Sequence, residues 1–235
     1  MDASPETLLY GVAWYVVFVF SLTVHEASHA WAALKLGDET AYRGGQVTLN
    51  PIPHILREPF GTVVVPLLSF ALMGWMMGWA SAPYDPHWAA RHPKRAGLMA
   101  LAGPVSNLVL MLLAAVGLKI GFATGYLAVP TEGPFDIDHI VVGAAAGAGD
   151  GLAAVLSILF SLNFLLFLFN LVPLPPLDGA AVVQLVLPHS WAVRYQEFVA
   201  QPMFALLGLI IAWRFFGAIF WPVYFVVVTL LYLTL

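Results

Sequence analysis

Six stretches of 16 residues or more in the 235-residue chain carry neither a charged side chain nor a histidine: residues 7–24, 59–84, 96–118, 151–177, 198–213 and 215–235. Four of the six have 21 residues or more, and about 20 residues of α-helix are enough to cross a hydrocarbon core of roughly 30 Å. The pattern therefore predicts membrane-spanning helices. The first stretch runs on through His25, Glu26 and His29 to Leu36, so one uninterrupted helix is expected from about Leu8. Met1 to Thr7 is acidic where a signal peptide would be basic, and the alanines beyond the apolar run are interleaved with His, Glu and Trp, so this helix is expected to be retained. Further helices are expected from Gly97 to about Phe122 and from Leu152 to Leu171. From Met203 to Leu235 the chain exceeds one comfortable span and contains Arg214 and Pro222, which fits one kinked helix or a tight pair.

Residues 60–82 have two readings. Lys35, Arg43 and Arg57 flank the connection before them, and Arg91, Lys94 and Arg95 cluster after them. Short basic loops favour the cytoplasmic side, so on this ground the segment enters and returns on one face, with Pro66, Gly74 and Gly78 as places to turn. By length alone it is a plain span. The connection holding Glu132, Asp136, Asp138 and Asp150 has no basic residue and fits the opposite face. Between Arg43 and Pro53, glycine breakers and a brief alternation suggest a short strand or hairpin. The expected fold is an all-α, polytopic helical bundle with a short β-hairpin and one segment that spans or re-enters.

Composition narrows the function classes. Charged residues make up 9% of the chain, against roughly 25% in soluble domains. A net charge of -4 with scattered basic residues leaves no stripe to grip a phosphate backbone, so no nucleic-acid partner is expected. There is no cysteine, so any metal must be held by nitrogen and oxygen.

The strongest chemical signal is His25-Glu26-Ala27-Ser28-His29. Histidines four apart lie about 40° from one another around a helix and can share one zinc ion. The adjacent glutamate can then serve as general base toward water that the metal acidifies, while the metal polarises a scissile carbonyl. In an apolar helix these groups are costly unless paired, liganded or facing a wet cavity, which favours a metal site over a polar packing cluster or a proton relay. A third ligand is needed if one position is to stay open for water. Asp178 is the best candidate: it ends the run Asn170-Leu-Val-Pro-Leu-Pro-Pro-Leu-Asp178-Gly179, whose prolines break any regular helix. The plainer reading is that Asp178 caps the helix that follows. Asn107, in Gly103-Pro104-Val105-Ser106-Asn107, touches either the substrate or a neighbouring helix, and Asn170 either orients Asp178 or the substrate or satisfies carbonyls freed by the prolines. His54 falls near the entrance to this region, where it could modulate the metal site. His87, His92, His139 and His189 read as solvated or interfacial.

Together these motifs resemble the site-2 protease family of intramembrane zinc metalloproteases, in its short prokaryotic branch without a PDZ domain. The resemblance rests on His25 to His29, Gly103 to Asn107 and Asn170 to Gly179, in that order, and covers most of residues 8–190. It implies one domain over residues 1–235, with the catalytic core at about 8–190 and a divergent helical region at about 199–235. It implies one Zn2+ per chain held by His25, His29 and Asp178, Glu26 as general base, and Asn107 and Asn170 assisting substrate or transition-state positioning. The implied partners are a membrane-spanning protein substrate and the bilayer, with oligomerisation open. The implied setting is the prokaryotic inner or plasma membrane, with the site nearer its cytoplasmic face, in regulated intramembrane proteolysis. The stretch from Gly44 to His54 looks like the family's membrane-associated loop, which can engage substrate by strand addition. The rival function is a divalent-metal transporter or channel, which would favour ionisable residues at successive depths; a catalytically silent binding protein is a further one. Serine proteolysis through Ser28 or Ser106 lacks an orienting third group.

Overall fold

A computed structural model describes residues 4–130, 136–144 and 147–234. Helix α1 (Pro5–Leu36) begins with a Ser4 cap, whose Oγ accepts the Thr7 amide at 3.2 Å, and Pro5 stands where its missing N–H costs nothing. It ends at Gly37, whose φ of 103° is open to glycine and closes the last turn onto the Ala33 and Leu34 carbonyls. Then follow α2 (Thr40–Arg43), α3 (Pro51–Arg57), a π-helical turn (Phe60–Val64), α4 (Val65–Met73), α5 (Pro86–Arg91) and α6 (Pro93–Ala123). Strands β1 (Leu127–Ala128) and β2 (Val142–Gly143) precede α7 (Ala148–Asn170), α8 (Asp178–Val182), α9 (His189–Val199) and α10 (Pro202–Leu233).

Among the described residues four helices are long and apolar enough to cross a membrane: Thr7–Leu36, Pro93–Ala123, Gly149–Asn170 and Pro202–Leu233. The chain is thus an all-α, polytopic bundle, as its hydrophobic pattern predicts. The C-terminal stretch is one continuous helix through Pro222, not a pair. Helix α6 packs against both α1 and α7. One core cluster joins Met111 and Leu118 of α6, Phe160 and Phe164 of α7, and Phe220 and Tyr224 of α10. A second joins Trp14, Phe18 and Leu22 of α1 with Met76, Ile158 and Leu162. Outward faces remain apolar, for example Leu112, Leu113, Val116 and Ile120 on α6 and Leu206, Ile210, Trp213 and Phe225 on α10. Apolar surface this continuous suits lipid rather than water.

Residues 58–81 form a re-entrant segment. Helix α3 and the helix from Phe60 to Met73 meet at 111°. The chain reverses at Gly74 and comes back, so that the Trp79 amide donates to the Gly61 carbonyl at 3.1 Å and Ser81 Oγ donates to Glu58 Oε1 at 2.7 Å. Departure and return lie side by side, which a single crossing does not allow. At the tip, Trp75 stacks on Trp213 of α10, with centroids 6.3 Å apart.

The antiparallel strand pair lies elsewhere than expected. It joins Leu127 to Gly143 and Ala128 to Val142, whereas residues 44–50 form turns that lead into α3. The physical reason is the Asn50-Pro51 step: Asn50 Oδ1 accepts the Ile52 amide at 3.1 Å and Pro51 occupies the first helical position, a helix start rather than a strand. Glu132, expected in the acidic loop, lies outside the described residues. Residues 136–144 of that loop lie at the end of the bundle where α1 begins and α10 ends: His139 stacks on Tyr10, and the Tyr232 hydroxyl donates to the Ile140 carbonyl.

Candidate metal centre

The end of α1, the start of α6 and the end of α7 converge at the opposite end. The His25 and His29 rings project from successive turns of α1 and stand nearly edge to face, 82° apart, with their Nε2 atoms separated by 3.0 Å. After α7 the chain doubles back tightly, so that a Cβ at Gly179 would lie 2.3 Å from the Val172 carbonyl oxygen. This fold-back returns Asp178 to the histidines: its Oδ2 lies 3.1 Å from His25 Nε2 and 3.3 Å from His29 Nε2. Helix α8 has Leu177 as its N-cap, and the Asp178 carboxylate caps nothing.

Three donor atoms thus form a triangle with sides of 3.0, 3.1 and 3.3 Å. Tetrahedral nitrogen and oxygen ligation at about 2.0–2.1 Å separates donor atoms by roughly 3.3 Å, so the triangle fits one zinc-sized ion. The Asp178 Oδ2 atom is buried and accepts no hydrogen bond of acceptable geometry, an expensive state that a cation would relieve. Among the described residues this is the one group of three His, Asp or Glu side chains so arranged. The site is compatible with zinc on donor chemistry, spacing and the orphaned oxygen alike.

The other ring nitrogens are anchored. His29 Nδ1 donates to the Met99 carbonyl at 2.8 Å, and His25 Nδ1 lies 2.6 Å from Asn107 Oδ1. Both anchors stand on α6, which comes this close only because position 103 lacks a side chain: a Cβ there would sit 2.3 Å from His29 Nε2 and 2.6 Å from His25 Cε1. Pro104, one residue on, has no N–H to close the helical turn onto Ala100, and the helix continues through it. Glu26 is 4% exposed and makes no hydrogen bond or ion pair with the described residues, leaving its carboxylate unspent beside the histidines.

Of the expected residues, His25, Glu26, His29, Asn107 and Asp178 come together. Asn170, the last residue of α7, is half-buried and hydrogen-bonds none of them. His54 is buried and donates Nε2–H to the Thr48 carbonyl at 3.1 Å, holding its own loop. Two participants were missed, Asn163 and Ser21. Asn107 Nδ2 donates to Asn163 Oδ1 at 2.8 Å, and Asn163 Nδ2 donates to Ser21 Oγ at 2.8 Å. The signal was available: Ser21 stands one turn before His25 on the same face of α1, and Asn163 is a lone amide inside an apolar run.

The sequence pattern that describes peptidase family M50 matches residues 13–210. "Putative zinc metalloprotease YwhC" of Bacillus subtilis (strain 168) is 36% identical over 174 residues, which are 74% of this chain and 68% of the relative. "Putative zinc metalloprotease Rip2" of Mycobacterium tuberculosis (strain ATCC 25618 / H37Rv) is 28% identical over 211 residues, 87% of this chain and 70% of the relative. No solved structure matches.

Proposed function

Since the chain belongs to peptidase family M50, we propose that it is a zinc-dependent endopeptidase that hydrolyses peptide bonds in or near the transmembrane segments of other membrane proteins. The observation that carries this reading is the His25, His29 and Asp178 triangle with the unspent Glu26 carboxylate beside it, inside a four-span bundle. One zinc ion per chain, when bound, supplies Lewis acidity, which acidifies water and polarises a carbonyl. The two histidines present neutral Nε2 lone pairs because their Nδ1 atoms are engaged on α6. Glu26 accepts the proton of the attacking water and returns it to the departing amine. Asn107, whose amide is engaged by His25 and Asn163, acts in this reading by holding His25.

A helical substrate hides its amides in its own hydrogen bonds, so it must unwind at the cleavage point, and helices carrying Gly, Pro, Asn or Ser are the preferred class. The backbone at Val47–Leu49 runs beside Ala27, Ser28 and Trp31 with a cleft of about 280 Å³ between them, space for an unwound segment next to the HExxH turn. The basic residues at this end of the bundle support a site that faces the cytoplasmic side of a cell membrane.

The test is cleavage of a single-pass membrane protein in liposomes by wild type and Glu26→Gln, with chelation and zinc restoration. The expected result is zinc-dependent cleavage by wild type and a variant that binds zinc but does not cleave. Persistent cleavage by Glu26→Gln rejects the assigned base. Zinc transport without cleavage replaces the peptidase reading with that of a metal carrier.

A further inference from the structure

We infer that Asn163, which hydrogen-bonds to none of the three metal ligands, sets which ring nitrogen of His25 carries the proton and thereby the strength of the metal site. The inference rests on the metal reading above. The two asparagines are each 0% exposed and link α7 through α6 to His25 on α1. Its direction follows from one atom. The Leu159 carbonyl can only accept, and Asn163 Nδ2 donates to it at 2.8 Å. The same nitrogen gives its other hydrogen to Ser21 Oγ, so only Oδ1 of Asn163 is left to face Asn107. Asn107 must answer with Nδ2 and therefore turns Oδ1 toward His25. An oxygen there requires His25 to carry its proton on Nδ1, which leaves the Nε2 lone pair free beside Asp178.

Reversing either amide sets acceptor against acceptor between fully buried groups, at Leu159 in one case and at Asn163 in the other. A backbone carbonyl of α7 thus selects the imidazole tautomer on α1, two side chains away. His29 needs no such chain, because its Nδ1 meets the Met99 carbonyl directly. The design makes Asn163 a positioning residue, with Asn107 as the part that transmits its polarity.

The polarity can be separated from packing by a substitution that cannot flip. Asn163→Leu keeps the volume but frees Asn107 to turn either way, whereas Asn107→Asp offers His25 an oxygen in both orientations. On full-length protein in detergent, zinc affinity is measured by chelator competition, and the tautomer of His25 in the metal-free protein by imidazole 15N shifts. Asn163→Leu is expected to weaken zinc binding by about 10- to 100-fold and to populate the Nε2–H tautomer. The double variant N107D/N163L is expected to recover most of the lost affinity. A double variant as weak as Asn163→Leu overturns the inference in favour of packing, and so does Asn163→Leu with wild-type affinity. If Asn163→Leu does not fold, the wild-type spectrum alone decides, since a His25 with its proton on Nε2 overturns the inference. A wild-type zinc affinity that His29→Ala leaves unchanged overturns instead the metal reading on which all this stands.

Discussion

Gly103→Ala separates folding from metal binding at a single carbon atom. The added Cβ would lie 2.3 Å from His29 Nε2, 2.5 Å from His29 Cε1 and 2.6 Å from His25 Cε1. These separations are roughly 1 Å short of ordinary van der Waals contact. The clashing atoms are the ends of imidazole side chains rather than backbone, so the rings can swing aside and the helices need not part. Position 103 is also helical, where alanine is favoured over glycine by about 1 kcal/mol, an amount that offsets much of the overpacking cost of about 1–3 kcal/mol. Global stability is therefore expected to change by no more than about 1–2 kcal/mol. A metal site tolerates only about 0.2 Å of error in its ligand distances, and a shift of about 1 Å costs around 100-fold in catalysis. The expected outcome is a folded variant with zinc affinity at least about tenfold lower, equivalent to 1.4 kcal/mol, and kcat/KM down about 100-fold. Gly117→Ala on the same helix is the control: the nearest atoms to its Cβ all belong to the Leu156 side chain, the first at 3.0 Å. Chelator competition and cleavage of one substrate by both variants provide the measurements. Wild-type zinc affinity in Gly103→Ala would refute the claim that the glycine exists to admit the histidines.

Two further predictions concern the bundle rather than the reaction. Ser161 and the Tyr224 hydroxyl are hydrogen-bonded at 2.7 Å in the buried contact between α7 and α10; Tyr224→Phe should destabilise by about 0.6–1.7 kcal/mol, as interhelical bonds in membranes do, measured by unfolding in mixed detergent, and no loss would mean that the two helices are held by packing alone. At the other end of the bundle, His139 Nδ1 and Asp138 Oδ1 are 2.8 Å apart, with Tyr10 and Asp136 as the other titratable neighbours. Burial would raise the Asp138 carboxyl, but the His139 hydrogen bond and the nearby Tyr10 hydroxyl outweigh it and hold its pKa below the usual range, while the bond to Asp138 lifts that of His139 against a smaller opposing effect of burial. The Asp138 contribution is then full above pH of about 4 and lost as pH falls, and the His139 contribution is full below pH of about 6.5 and lost as pH rises through its raised value. His139→Ala should remove stability between those limits and change little at high pH; an equal loss at high pH would exclude the pairing as its source.

What could be read from the sequence follows the reach of each physical constraint. The spans were legible because lipid requires long apolar helices and the chain has few charges to interrupt them, and α1 was located to within a few residues of its observed start. His25 and His29 were legible because one helical turn fixes their relation. Asp178 needed a longer inference, from zinc's need of a third ligand and a proline-broken stretch able to approach it, and the fold-back at Gly179 supplies its physical reason. Residues 60–82 stayed ambiguous because length and loop charge pull in opposite directions; the Glu58–Ser81 and Gly61–Trp79 hydrogen bonds that decide the matter are tertiary. The strand expected at residues 43–53 failed where a local rule was available, since Asn-Pro is a helix-start pair. Asn163 was passed over because no motif marks it. Only the partner on α6 shows what a lone amide in an apolar helix is for.

The polar atoms behind the metal triangle bear on the choice between hydrolysis and transport. A conduction path needs groups that exchange partners, at successive depths and with access to water. The groups behind His25 are neutral and fully buried. Asn163 spends both amide hydrogens on Leu159 and Ser21 and its oxygen on Asn107, which in turn gives its own oxygen to His25. An ion moving inward from the triangle would have to break these bonds one after another in a medium that offers no replacement, and no carboxylate is among them to compensate its charge. The same arrangement suits a stationary ion: anchored histidines resist displacement, and Glu26, buried and without a hydrogen bond among the described residues, adjoins His25 in the chain. Rigidity behind the metal and a free carboxylate next to it favour a site at which substrate comes to the ion, and weigh against one through which the ion passes.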